Sequence, residues 1–473
     1  MYHDRMLAAR GVAGWADTRL VEAIPVDRAP MEPKQDANAS SGFLAPLGEW
    51  FDEDYDFTGP EGDAFADALL AQVEAIEVRK RARRQADVDN HQTFLRKLAA
   101  NGFRAFRSYH PPLVAVQLAP HAYRGRAGWL NGVAMKRELE LLREAGLVEI
   151  NIGVWGEAST TYSVTPDFMI AAIRARLTGR NITHRLEPHR LVRLYRTNSD
   201  DGDLIAFEPD DQTRRWTEQI DAYNRFVAAQ DVAMDLSSRD KARLLAQMNA
   251  GRREGIPRLK QPDLTNKSLF RQFNEGSFEA GGRLYGAWWI NCPKEFRPMI
   301  RINGKPTVEL DFSGCAVRML YHEKGMAFEG DPYFLEALDA CEREHDLRKS
   351  HFREGVKRLT QALINGCEGG SPERIRLTKE EAVRPYFKQS HVLEMIRAKH
   401  EPIAQSFQTG AWRWLQRADS DIALSVIHNL MEKGIVALPI HDSFIVAEGD
   451  KEALRLQMTV SYLDQFDHEP VIN

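Results

Sequence analysis

Two aspartates sit where apolar runs end or break. In TVELDFSGCAVRMLYH (307–322), Thr307 to Leu310 read as a short buried strand, and Asp311 closes it ahead of Ser313-Gly314. An ionised carboxylate at such a point is costly unless it is paired or bound to a cation. A helix cap would also place an acid there. In GIVALPIHDSFIVAEGD (434–450), the runs IVALPI and SFIVAE flank His441-Asp442. Their length and alternation predict a hairpin with the polar pair at its tip. Structural turns more often use Asn-Gly or Asp-Gly, so a His-Asp tip points to function. In HFREGVKRLTQALING (351–366), Arg353, Lys357, Gln361 and Asn365 recur every four residues, and Val356, Leu359 and Leu363 line another face. That spacing predicts a helix with one cationic and polar stripe, stopped at Asn365-Gly366. A solvated helix face has the same pattern. In FEAGGRLYGAWWINCPKEFRPMI (278–300), Gly281-Gly282 places Arg283 in a glycine turn beside Tyr285, Trp288 and Trp289. Arginine with aromatics can grip a sugar-phosphate backbone, or the segment is a packed loop.

In this order and with these spacings, the four stretches resemble the polymerase domain of the DNA polymerase I family (family A) and the related phage-type single-subunit RNA polymerases. The resemblance covers about residues 265–473. Asp311, Ser313, Arg318, Leu320 and His322 match motif A. Arg353 and Lys357 match motif B, with Gly366 where a Tyr-Gly normally ends it. His441-Asp442-Ser443 is similar to motif C in its RNA-polymerase form. Gly282-Arg283-Leu284 is similar to the family's Gly-Arg-Leu segment, and Gln416, Asp421 and Ile422 match its Gln-x4-Asp-Ile.

The resemblance implies an α+β fold: a right-hand palm built on an antiparallel sheet, with compact helical fingers. It implies in-line phosphoryl transfer, helped mainly by positioning and charge stabilisation. Two metal ions about 4 Å apart would serve it, held by Asp311, Asp442 and the backbone carbonyl of Phe312. Mg2+ suits two carboxylates plus phosphates, and Mn2+ is the alternative ion. Arg353 and Lys357 would bind the nucleoside triphosphate, Lys357 also protonating pyrophosphate, with Gln361, Asn365 and Ala316 around the nucleotide. Arg283, Gln416 and His441 would contact primer and template. Ala316 stands where the family's DNA polymerases carry a glutamate that obstructs a 2′-hydroxyl, and Asn365 replaces the closing tyrosine. Both departures favour ribonucleotide use.

The elements ahead of these stretches are expected to bind and connect. WLNGVAMKRELELLREAGLVEI has apolar residues at Val133, Leu139, Leu142 and Leu147 at helical spacing, and Gly146 signals its end. Two β-like runs follow, in the order of a winged helix-turn-helix module. Lys136, Arg137 and Arg143 would then face a DNA major groove. A packing unit without a ligand gives the same pattern. Residues 62–100 read as helical, and the cluster Arg79, Lys80, Arg81, Arg83 and Arg84 is either a solvated face or a nucleic-acid contact. EWFDEDYDF (49–57) interleaves aromatics with acids, as a docking segment or as a strip packed on the body. Residues 205–265 read as mostly helical. The resulting organisation is a poorly ordered segment (1–60), a helical and winged-helix-like module (61–200), a thumb-like connector (201–264) and the palm and fingers (265–473).

The net charge of -5 neither announces nor excludes a nucleic-acid partner, because local patches steer binding. No run approaches 18 apolar residues, which predicts no membrane span. Cys292, Cys315, Cys341 and Cys367 form no C-x-x-C pair, which argues against zinc and for a reducing, cytoplasmic setting. The expectation is a template-directed nucleotidyltransferase, ribonucleotide-tolerant, primase-like or replicative. Its partners would be a DNA template, nucleoside triphosphates and, as a variant, an RNA template or primer. The alternatives are a DNA-only polymerase with a relaxed gate, an untemplated nucleotidyltransferase, and a DNA-binding regulator with a degenerate palm.

Overall fold

The computed structural model describes residues 48–79, 81–108, 112–120, 122–123, 128–154, 158–197, 204–250, 262–379 and 381–473. The fold is α+β. The described residues fall into two units, one from Met1–Thr183 with Leu245–Pro262, the other from His184–Leu244 with Asp263–Asn473.

The first unit contains β1 (Glu49–Trp50), β2 (Tyr55–Phe57), α1 (Gly59–Ile76), α2 (Gln85–Ser108), β3 (Val114–Val116), α3 (Gly132–Glu144), β4 (Val148–Asn151), β5 (Thr160–Val164) and α4 (Pro166–Arg174), and β6 (Ile182–His184) follows. One sheet runs β1-β3-β5-β4. Phe57, Phe65, Leu98, Phe103, Leu139, Tyr162 and Phe168 share its core, and the buried Tyr162 hydroxyl donates to the Leu98 carbonyl at 2.8 Å.

Several expectations change here. Residues 48–60, assigned to the poorly ordered segment, are built into this unit; the rest of that segment lies outside the described residues. Phe51, Tyr55 and Phe57 are buried, so the aromatic strip packs on the body. The helix expected over 62–100 is two helices with a break at 77–84. Crowded cations repel along a helix, and Glu77 instead gathers Arg79 at 2.9 Å and Arg83 at 2.6 Å in the connector. Lys80 lies outside the described residues.

Helix α3 begins at Asn131, whose side chain accepts from the Ala134 amide. It ends as expected at Gly146, where the Gly146 and Leu147 amides donate to the Arg143 and Leu142 carbonyls. Val133 is 64 % exposed because the buried stripe runs instead through Met135, Glu138, Leu139 and Leu142. The expected hairpin forms from β4 and β5, with Val148 opposite Val164 and Ile150 opposite Tyr162.

The second unit is built on an antiparallel five-stranded sheet, β13-β14-β12-β11-β8. Its members are β8 (Val232–Met234), β11 (Ile300–Ile302), β12 (Lys305–Asp311), β13 (Leu438–Ile440) and β14 (Ser443–Ala447). A smaller sheet joins β7 (Val192–Leu194), β9 (Phe270–Asn274) and β10 (Ser277–Tyr285). Helices α5 (Asp211–Ala228) and α6 (Ser238–Met248) supply the helical character expected for 205–265. Between them, Val232–Met234 pairs with Ile300–Ile302 as the sheet's edge strand, a strand that local pattern alone does not announce. The remaining helices are α7 (Cys315–His322), α8 (Glu336–Glu344), α9 (Arg353–Asn365), α10 (Gln389–Lys399), α11 (Trp412–Glu432) and α12 (Lys451–Phe466). Among the described residues no helix is long and apolar enough to cross a membrane.

Candidate active site

The site lies at the end of the five-stranded sheet in the second unit. β13 and β14 form the expected hairpin, with Ile440 opposite Ser443 and His441-Asp442 as its two-residue tip. His441 takes φ +57° to close that turn. β12 pairs with β14 from Thr307–Ala447 to Asp311–Ser443, and the Phe312 amide donates to the Asp442 carbonyl at 3.1 Å. Asp311 and Asp442 are thereby neighbours across two strands. β12 is less buried than expected: only Leu310 is fully covered, and Thr307, Val308, Glu309 and Asp311 are half-buried. On the other side of its end, the Ser313 amide donates to the Val471 carbonyl at 2.8 Å and the Asn473 amide to the Asp311 carbonyl at 3.0 Å.

Other side chains set the hairpin tip. The Ser443 hydroxyl donates to Glu309 at 2.7 Å, and Arg297 reaches the same Glu309 oxygen at 2.6 Å. Burial pushes the His441 imidazole down to about 4, and Arg283 and Arg297 add to the shift. Its Nδ1 is buried without a hydrogen-bond partner among the described residues.

Arg283 comes from β10. The expected glycine turn is instead a bulge within this strand: the register slips around Gly281, and Gly281 and Gly282 hold φ +86° and +87°. A Cβ on Gly282 would lie 2.8 Å from Phe273 Cε1, so the strand can only bend this way with glycine. The Gly282 carbonyl accepts from the fully buried Arg271 at 2.7 Å, and Arg271 in turn pairs with Asp421 at 2.7 Å. Trp288 and Trp289 are buried in the core and do not form an aromatic platform beside Arg283.

Arg283 meets Asp419 of α11 at 3.3 Å. Asp419 is buried, and burial raises its carboxyl to about 6, with Asp442 adding and Arg283 opposing. Burial likewise raises Asp442; Asp311 adds to the shift, while Arg283 and Lys357 oppose it. Three carboxylates, one arginine and one lysine therefore share one electrostatic neighbourhood.

Helix α9 carries Lys357. As expected, Arg353, Lys357 and Gln361 are half-buried and Asn365 is exposed along one stripe, while Val356, Leu359 and Leu363 are buried. The helix stops at Gly366, but in extended backbone (φ -67°) and not through a left-handed cap. Lys357 makes no hydrogen bond or ion pair among the described residues. Arg353 is engaged: its Nε and Nη2 donate to the two oxygens of Asp331 at 2.6 and 3.1 Å. Ala316 is half-buried in the first turn of α7, and Gln416 is half-buried on α11 three residues before Asp419.

No protein-family model matches the chain, and no curated protein matches its sequence.

Four site residues escaped the reading of the sequence: Asp419, Asp331, Glu309 and Arg297. Asp419 had a signal, since it lies three residues after Gln416 and so shares its helix face. Glu309 had one too, two residues before Asp311 on the same strand face. Asp331 lies in a loop with no periodicity to mark it.

In the first unit, Lys136 and Arg137 are exposed on α3 as expected. Arg137 pairs with the buried Glu138, which also meets His91 Nδ1 at 2.6 Å. Arg143 pairs with Glu140 at 2.5 Å. Among the described residues, Lys136 is the one cation of these three with no ion-pair partner.

Proposed function

We propose that residues 265–473 are the palm and fingers of a template-directed nucleotidyltransferase of the DNA polymerase I type. The observation that carries this reading is the β12–β14 register, which sets Asp311 beside Asp442, with the cationic residue Lys357 near enough to act on Asp442. Nucleotide addition needs paired carboxylates from separate strands and cations for a triphosphate. The donor set fits a hard divalent ion such as Mg2+: two carboxylates and the Phe312 carbonyl, all oxygen. An ion held by Asp311, Asp442 and the Phe312 carbonyl would supply positive charge to offset that of the reacting phosphate. Lys357 binds the triphosphate and supplies a proton to the departing pyrophosphate. Arg283 and Gln416 orient primer and template, and Asp419 orients Arg283. The Glu309–Ser443 bond and the αL turn at His441 fix the height of Asp442.

Ala316 and Asn365 leave room and a polar partner for a 2′-hydroxyl, so the enzyme of this proposal uses ribonucleotides and works as a primase or replicase. The first unit holds DNA as a winged helix through Lys136 and its neighbours. The test is primer extension by the full chain with separate dNTP and NTP pools, on DNA and RNA templates, in Mg2+. Template-dependent incorporation that disappears in Asp442→Asn supports the reading. Incorporation without template dependence, or none in any combination, overturns it.

A further inference from the structure

Arg353 lies on the stripe that should meet a triphosphate, yet each of its three guanidinium nitrogens already reaches a carboxylate. Nε and Nη2 form a two-point fork on Asp331 at 2.6 and 3.1 Å, and Nη1 reaches Glu354 at 3.4 Å. A planar guanidinium grips a phosphate by the same fork that grips a carboxylate. The two anions therefore compete for one surface. Lys357, one turn further on, has no such partner among the described residues.

The Asp331 side of the pair is the fixed one. Its Oδ1 also accepts from the Tyr333 amide at 3.0 Å. Lys399 Nζ donates to the Asp331 and Phe334 carbonyls at 3.3 and 2.7 Å, and His400 Nε2 lies 2.9 Å from the Pro332 carbonyl. Arg318, buried on α7, donates to the Phe328 carbonyl and, at 2.7 Å, to that of Gly330. Gly314, in left-handed backbone, approaches Pro332 so closely that a Cβ there would lie 2.6 Å from its Cγ. The loop 328–334 is thus pinned to α7 and to the end of α10. Arg353, by contrast, is the first residue of its helix, with a long and half-exposed side chain.

We propose that Asp331 is an internal competitor of the triphosphate. It holds Arg353 while the site is empty, and the incoming nucleotide, met first by Lys357, takes Arg353 from it. This rests on the polymerase reading and adds to it a residue that sets nucleotide affinity. The competition weakens nucleotide binding by the worth of a half-exposed two-point ion pair, and it leaves a nucleotide lacking its outer phosphates unable to displace Asp331.

The test is calorimetric titration of ATP, dATP and AMP into the full chain bound to a DNA primer–template whose primer lacks a 3′-hydroxyl, in Mg2+, so that binding is read without incorporation. Asp331→Asn is expected to tighten triphosphate binding about fivefold, read as a fall in Kd. AMP should gain less. The gain should vanish when Arg353→Ala is combined with Asp331→Asn. Asp331→Ser, which keeps an oxygen for the Tyr333 amide, carries the same expectation should the Asn variant misfold. Unchanged or weaker triphosphate binding in a folded Asp331 variant overturns the proposal while leaving the polymerase reading intact. A wild-type chain that binds neither ATP nor dATP, and extends no primer, overturns that reading itself.

Discussion

Replacing Asp311 or Asp442 by asparagine keeps the shape and removes one negative charge from the pair. Neither change breaks a backbone bond of the β12–β14 ladder, so folding and DNA affinity should stay near wild type. Incorporation should fall at least tenfold, because a lost metal contact costs several kcal/mol of transition-state stabilisation. Single-turnover incorporation kinetics check this, and an Asn variant retaining more than about a tenth of the rate would be inconsistent with a metal-ligand role. At Ala316 the expected outcome concerns selectivity. The wild type should use NTPs within about a hundredfold of dNTPs, and Ala316→Glu should depress NTP use far more than dNTP use. Strong exclusion of NTPs by the wild type would remove the primase-like reading. The two paired acids were legible in the sequence because each interrupts an apolar run. Asp419 was not: its meaning depends on Arg283, which lies 136 positions away. Asp331 was invisible for the same reason, being defined by a partner 22 positions on and by a loop without repeat.

Helix α9 and the hairpin β13–β14 came out of the sequence nearly intact, since both are set by local period and by residues at their ends. The break at 77–84, the edge strand β8 and the bulge at Gly281-Gly282 did not. The break follows from cations crowded around Glu77; the other two are decided by partners outside their own segments, Ile300–Ile302 for β8, and Arg271 and Phe273 for the bulge. Two predictions belong to these elements. Lys357→Ala should slow incorporation and weaken nucleotide binding while sparing template affinity. Loss of DNA affinity alone would recast α9 as a template contact. On α3, Lys136→Glu should flatten the salt dependence of DNA binding by roughly 0.9 in log–log slope if Lys136 meets a phosphate. Arg137→Ala should do less, because Glu138 already holds that guanidinium. Equal slopes for wild type and Lys136→Glu would leave this module as a packing unit.

For the molecule as a whole, acid should act on the second unit through a histidine away from the chemistry. His322 bonds the Tyr462 hydroxyl at 2.9 Å and stacks on His468 at 4.6 Å. Burial lowers it to about 4, with His468 and Arg318 adding. A folded-state value below the unfolded one, near 6.5, favours the neutral ring. Its contribution is complete above pH 6.5 and is lost as pH falls through 4. Denaturation curves at pH 7, 5 and 4 should therefore converge for wild type and His322→Gln, and parallel curves would exclude this role. The ladder that joins Asp311 and Asp442 has a further consequence, in time. Glu309 and Ser443, which bond across it, are 134 positions apart. A contact of that span closes a long loop and forms late. On a growing chain, β12 is synthesised well before its partner hairpin, and until β14 docks, Asp311 has no second acid beside it. Cation affinity should accordingly appear as the last event of refolding. Mn2+ uptake followed by its electron-spin signal should trail the recovery of helical ellipticity, and simultaneous recovery would mean that the strands pair early.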